Sequence, residues 1–325
     1  GLARTVSTRT GTGEAVRGVD LDVEPGEIVG FLGPNGAGKT TTLRMLTTLL
    51  TPTAGTATVA GHDLRTDPAG VRRRIGYVGQ HGGAGPDCPV REELALQGRF
   101  YGMSAEHAGR RADELLDQLD LFGTGARIVQ TLSGGQRRRL DIAMGLMHLP
   151  PLLFLDEPST GLDPQSRANL WQHIRALHAE HGTTLFLTTH YLDEADALCD
   201  RILVIDRGRI VAEGTPDELK RRVSGDLVVV GADAPEIVAK LAGELPGSTE
   251  LAVDGPSVRF RTADGAGALP TLLRGMDAAG VAMTSVEVRR PSLDDVFLTL
   301  TGRTLRDAEQ DEQAGAEPVA AGAAR

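Results

Sequence analysis

Short unbroken apolar runs recur along the chain at Ile28–Leu32, Leu152–Leu155, Thr184–Leu187 and Ile202–Ile205, the pattern of strands buried on both faces. Thr56–Ala60 and Ile75–Val78 also read as strands. Between them lie stretches of helical spacing. One covers Thr40–Leu50, one follows Ser104 as N-cap to about Leu119, and one runs from Pro164 to about Glu180. Strands alternating with helices from Val16 to about Glu213 predict an α/β layered domain with a largely parallel sheet.

From about Gly225 the pattern changes. It reads strand (Asp226–Val230), helix (Pro235–Leu245), two strands (near Leu251 and at Val258–Arg261), helix (Leu269–Ala278) and strand (Met283–Arg289). That β-α-β-β-α-β order predicts a small α+β domain. A final helix is expected to start at Ser292, where Ser-x-x-Asp295 resembles a capping box. The expected domains are residues 1–222, then 223–305. A tail, 306–325, is almost free of large apolar residues and is expected to be disordered.

Composition narrows the function classes. The formal net charge is -10, the wrong sign for coating nucleic acid. Cys88 and Cys199 stand far apart and in no C-x-x-C spacing, so neither a disulfide framework nor a zinc site is expected, which suits a reducing cytoplasm. No apolar run approaches the roughly 18 residues of a membrane-spanning helix; the nearest, Leu149–Leu155, is interrupted by prolines. The sequence begins at Gly1 without the apolar core of a signal peptide. The expectation is a cytoplasmic chain that reaches a membrane only through a partner. Of 34 Lys plus Arg, only Lys39, Lys220 and Lys240 are lysines, so a lysine here calls for an explanation.

Lys39 has one. Gly33-Pro34-Asn35-Gly36-Ala37-Gly38-Lys39-Thr40-Thr41 matches G-x-x-x-x-G-K-[ST] and lies between a predicted strand and a predicted helix. Glycines let the backbone curl so that successive N–H groups face a phosphate, and the helix N-terminus adds its dipole. Lys39 would reach the β- and γ-phosphates and the Thr40 hydroxyl would bind Mg²⁺. The alternative is an ordinary Gly-rich turn, which leaves the lysine unexplained. A second signal is the apolar strand Leu152–Leu155 ending in Asp156-Glu157, at the strand end where α/β sheets bind ligands. Asp156 would hold Mg²⁺ and Glu157 would act as general base on an attacking water. Alone, such a pair is equally a plain strand end; beside the phosphate loop it gains meaning.

The third signal is Leu132-Ser133-Gly134-Gly135-Gln136, followed by Arg137-Arg138-Arg139 and a helix to about His148. By itself it is a flexible turn and a solvated basic face. Here the chain resembles the ABC ATPase family, whose ordered motifs are phosphate loop, glutamine loop (Gln80 after Tyr77-Val78-Gly79), signature, carboxylate strand and histidine switch (His190). Ser159-Thr160-Gly161-Leu162-Asp163 follows the carboxylates. The resemblance covers about Leu2 to Glu218 and implies an ABC-type P-loop NTPase fold.

The resemblance also implies a head-to-tail homodimer with ATP sandwiched between the phosphate loop of one copy and Ser133–Gln136 of the other. Asp163 would lie at the seam, Gln80 would sense Mg²⁺ or water, and His190 would contact the γ-phosphate. The loop after Gln80 would face separate integral-membrane permease subunits. Two positions depart from the family: Val6 stands where relatives stack an aromatic on adenine, and Gly79 where many have Pro. Pro291–Gly302, Leu46–Leu50 and Thr188–Asp196 look similar to exporter ATPases of the daunorubicin-resistance type. That implies export of a hydrophobic drug or antibiotic, with the chain at the inner face of the cell membrane. The rival readings are a soluble ABC ATPase, disfavoured by the short Lys39–Ser133 separation and single motif set, and a nucleotide sensor, disfavoured by the presence of Glu157 and His190.

Overall fold

A computed structural model of the chain describes residues 1–8, 11–223 and 225–302, the side chains of 6–8, 11 and 12 excepted. The chain divides into two compact units, Gly1–Pro216 and a second from Asp217 onward. The expected tail, 306–325, lies outside the described residues.

The first unit opens with an antiparallel pair, β1 (Leu2–Thr8) and β2 (Gly11–Val19). Next come β3 (Ile28–Leu32), α1 (Lys39–Leu46), the short hairpin β4 (Thr58–Val59) and β5 (His62–Asp63), α2 (Pro68–Arg74) and β6 (Ile75–Val78). Three helices follow, α3 (Val90–Phe100), α4 (Ala105–Gln118) and α5 (Gly134–Leu146). The unit then alternates: β7 (Leu152–Asp156), α6 (Pro164–His181), β8 (Thr184–Thr189), α7 (Leu192–Leu198), β9 (Arg201–Asp206) and β10 (Arg209–Gly214). Six strands form one sheet in the order β10-β9-β3-β8-β7-β6, all parallel except β10.

The predicted buried strands are the middle of this sheet. Phe154 on β7 sits opposite Phe186 on β8, with ring centroids 5.6 Å apart, and Phe31 on β3 stands 5.7 Å from Phe186 on the other side. All three rings are buried and tilted, the arrangement that aromatic quadrupoles favour. They lock together the three strands whose C-terminal ends carry the predicted chemistry.

Two expected elements come out shorter, each for a local reason. The helix predicted to Leu50 stops at Leu46, because Thr48 turns to φ 63° and the amide of Leu50 bonds back to the Arg44 carbonyl. The strand predicted over Thr56–Ala60 shrinks to Thr58–Val59, because Ala60 (φ 48°) and Gly61 (φ 85°) make a tight turn that pairs Val59 with His62. Ser104 caps α4 as expected, accepting from the His107 amide at 3.2 Å.

The second unit contains most of α8 (Pro216–Arg222), then β11 (Asp226–Ala232), α9 (Pro235–Gly243), β12 (Thr249–Asp254), β13 (Ser257–Thr262), α10 (Gly265–Ala279), β14 (Met283–Arg289) and α11 (Leu293–Thr301). Its antiparallel sheet runs β12-β13-β11-β14, and Val228, Val230, Val258 and Phe260 meet Val238, Leu272 and Met276 of the helices in one core. The capping box at Ser292 is formed, with the Asp295 amide donating to Ser292 Oγ at 3.3 Å and the Ser292 amide to Asp295 Oδ2 at 2.8 Å. Among the described residues, no helix is long and apolar enough to cross a membrane.

Phe186 is the ring shared by both aromatic contacts. Phe186→Ala is expected to destabilise the first unit by about 3–5 kcal/mol in urea unfolding, and a loss below about 1 kcal/mol contradicts its central place.

Candidate active site

β3 delivers the chain into the glycine-rich loop, and two glycines there are required by space. A Cβ on Gly33 would lie 2.3 Å from the Ile205 carbonyl oxygen, and one on Gly38 would lie 2.6 Å from that of Ala15. Gly38 also adopts φ 105° as it caps α1. Between them Pro34 and Ala37 are buried, while Asn35 and Gly36 are exposed at the turn. Lys39, only 4% exposed, curls back so that Nζ donates to the carbonyls of Gly33 (2.8 Å) and Pro34 (2.9 Å). Thr40 and Thr41 open the helix, half-buried.

β7 places two carboxylates against this loop. Asp156, 1% exposed, accepts hydrogen bonds from the hydroxyls of Thr40 (3.0 Å) and Thr188 (2.7 Å). Glu157, 6% exposed, stands with Oε1 3.3 Å from Lys39 Nζ. Its Oε2 accepts from Gln80 Nε2 (3.2 Å) and Thr160 Oγ1 (3.1 Å), and lies 3.3 Å from Nδ1 of His190. Glu157 has φ 46°, a region that side-chain-bearing residues rarely occupy; its amide is anchored by the carbonyl (3.1 Å) and hydroxyl (3.0 Å) of Thr188. The ends of β3, β6, β7 and β8 thus bring Lys39, Thr40, Gln80, Asp156, Glu157 and His190 into one cluster.

The remaining expected residues lie apart from it. Ser133 and Gly134 are exposed at the start of α5. There Ser133 and Gln136 satisfy each other: the Gln136 amide donates to Ser133 Oγ (3.2 Å) and the Ser133 amide to Gln136 Oε1 (3.1 Å). Gly135 faces the start of α6, where a Cβ would lie 3.3 Å from Ser166 Oγ. Asp163 is the exposed N-cap of α6, accepting from the Ser166 amide (3.0 Å) and hydroxyl (2.6 Å), bonds that hold its carboxyl below the usual range. The backbone of Val6 belongs to β1, and its side chain lies outside the described residues.

Sequence reasoning passed over three residues here. Thr188 donates to the Asp156 carboxylate while accepting from the Glu157 amide, and Thr160 braces the Glu157 carboxylate. Arg138, within a run that reads as a solvated face, is buried behind the carboxylate turn. The polar threonines closing an otherwise apolar β8 were the available signal for Thr188. A buried arginine leaves no such mark.

The charges around Glu157 set its ionisation. Burial works against the charge of Glu157, but the His190 ring and the Lys39 ammonium outweigh it and hold the carboxyl at about 2. The cluster can receive a polyphosphate: the loop turns through Gly38 at φ 105° into the N-terminus of α1, and Lys39 supplies a cation at its base. The oxygens of Thr40, Asp156 and Gln80 make a hard donor set of the kind that suits a small divalent cation.

Because the folded-state value of Glu157 is lowered from 4.5 to about 2, its charge adds stability above the higher value that is lost as pH falls toward the lower. In nucleotide- and metal-free protein, the unfolding free energy of wild type minus that of Glu157→Gln is therefore expected to shrink between about pH 5 and about pH 3. A difference that stays flat across that range contradicts the pairing.

Comparison with known proteins agrees with this geometry. Residues 16–160 match the ABC transporter family, and residues 214–301 match the C-terminal domain of DrrA1-3-like ATP-binding proteins. The chain is 45% identical over 309 residues to the daunorubicin resistance ATP-binding protein DrrA3 of Streptomyces coeruleorubidus, covering 93% of this chain and 95% of that protein. It is 40% identical over 306 residues to the Nod factor export ATP-binding protein I of Cupriavidus metallidurans, covering 94% and 98%. A solved dimeric ATP-binding cassette in a post-hydrolysis state with ADP and Pi aligns with TM-score 0.61 at 28% identity, over 66% of this chain and 96% of that one. The chain belongs to the ATP-binding, ATP-hydrolysing subunits of ABC transporters, in the group of the daunorubicin-resistance proteins.

Proposed function

We propose that this subunit works as a homodimer and energises export of a hydrophobic drug or antibiotic through separate membrane permease subunits. One observation carries the catalytic part: Lys39 and Glu157 meet at 3.3 Å in a buried site flanked by Gln80, Asp156 and His190. ATP is the substrate, with its phosphates on the amides of residues 35–41 and on Lys39. Thr40, Asp156 and Gln80 are the residues that hold Mg²⁺, which when bound offsets phosphate charge.

Glu157 takes a proton from the water that attacks the γ-phosphorus, as the bond to the ADP oxygen breaks. A carboxyl held at about 2 is ionised but weakly basic. Phosphate drawing Lys39 toward itself removes one of the charges that depress Glu157, so the base strengthens when substrate is present. His190 contacts the γ-phosphate from the end of β8. Ser133, Gly134, Gly135 and Gln136 serve the nucleotide held by the second copy, and the exposure of Ser133 and Gly134 leaves them available to it. Asp163 lies at that seam.

The segment after Gln80 lines a groove of about 410 Å³ with Tyr77, Gln97, Asp141 and Met144, and exposed Leu96 and Phe100 lie on α3, the helix that carries Gln97. The permease segment docks in this groove, which holds the subunit at the inner face of the membrane. The substrate class follows the names of the relatives, which are drug-resistance and Nod factor export proteins. The acidic balance of -10 speaks against nucleic acid as a partner.

Size-exclusion chromatography and phosphate release test this reading together. Glu157→Gln should bind ATP, run as a dimer only with ATP and Mg²⁺, and hydrolyse about 10²–10⁴ times slower than wild type. Glu157→Gln turnover equal to wild type overturns the base assignment. Lys39→Ala should weaken nucleotide binding. Ser133→Arg should bind nucleotide normally yet remain monomeric, and an unchanged ATP-dependent dimer contradicts the composite site.

A further inference from the structure

The turn that carries the catalytic carboxylate is gripped on its carbonyl side by a buried guanidinium. Arg138 lies on α5, 7% exposed, about one and a half helical turns from Ser133. Its Nε donates to the Pro158 carbonyl at 2.7 Å, and Nη2 donates to those of Asp156 (3.0 Å) and Glu157 (3.4 Å). On its other side Nη1 donates to the carbonyl of Gly79 at 2.6 Å, one residue before Gln80. The nearest carboxylate, Asp141, is 3.9 Å away. A buried arginine ordinarily seeks a carboxylate in a two-pronged pair. This one spends its donors on the backbone, on three successive peptides around Glu157 and one beside Gln80.

Those peptides need holding. Glu157 sits at φ 46°, a conformation that is strained for a side-chain-bearing residue and persists only where the surroundings fix it. Thr188 anchors the turn from the amide side, and Arg138 anchors it from the carbonyl side. The helix that presents Ser133 at its N-terminus therefore also carries the strut of the carboxylate turn.

We propose that Arg138 is a positioning residue for hydrolysis, fixing the peptides that carry Glu157 and Gln80 and tying them to the signature helix. The proposal rests on the reading of Glu157 as general base. Lysine cannot replace the fork, because a point ammonium cannot span carbonyls on both the Gly79 and the Pro158 side.

The test uses the full chain with Arg138→Lys and Arg138→Gln, each made in wild type and in Glu157→Gln, with a fluorescent ATP analogue for binding and phosphate release for turnover. Nucleotide affinity should stay within about threefold, while kcat in the wild-type background falls by about tenfold to a hundredfold with KM little changed. In the Glu157→Gln background the same substitutions should cost about fivefold less than in wild type, because most of their effect passes through the missing carboxylate and only the Gln80 part remains. Equal losses in both backgrounds, or no loss in either, overturn the proposal. Loss of folding or of nucleotide binding in both variants also overturns it, since Arg138 is then a core strut alone. A Glu157→Gln chain as fast as wild type is a separate outcome, which refutes the role of Glu157 and this proposal with it.

Discussion

Two opposite charges buried against each other, Lys39 and Glu157, set the terms for the rest of the site. Neither ion could be withdrawn from water alone, since an uncompensated buried charge costs several kcal/mol after relaxation. The sheet order supplies the compensation. β3 and β7 are not neighbours; β8 runs between them, and from that middle position its Thr188 bonds the Asp156 carboxylate and the Glu157 amide. Three packed rings, Phe31, Phe186 and Phe154, keep these strands in register. The apolar core thus holds the strand ends that hold the charges.

The pairing gives the nucleotide-free chain an electrostatic lock. Lys39 has its ammonium on Glu157 and on two loop carbonyls, so an incoming phosphate displaces an existing partner rather than filling empty space. The same exchange lifts part of what suppresses the basicity of Glu157. In the proposed mechanism, substrate binding and activation of Glu157 are one electrostatic event, in a region where little water screens the charges.

What the sequence disclosed and what it hid follow from where each interaction lives. β3, β7, β8 and β9 were legible because a strand covered on both faces needs an unbroken apolar run. Asp156 and Glu157 were legible as polar groups closing an apolar strand and Lys39 through the glycine-rich pattern, while Gln80 and His190 came from the family resemblance. The end of α1 and the shortening of β4 were not, since both turn on single residues, Thr48 and Ala60, in left-handed conformations. Arg138 was hidden for a different reason. In the run Arg137–Arg139 all three look alike, and only the packing of α5 against the carboxylate turn buries the middle one. Ser133 and Gln136 make a plain helix cap within one chain, so their value as phosphate contacts came from family resemblance and not from local chemistry.

In the proposed mechanism Glu157 competes with phosphate for Lys39, and ADP affinity in EDTA reports that competition without hydrolysis or metal. Calorimetry should find that Glu157→Gln binds ADP more tightly than wild type, by about tenfold, which corresponds to roughly 1.4 kcal/mol of released pairing. Equal or weaker binding by Glu157→Gln would contradict the account, because the pair would then be a bystander to nucleotide entry.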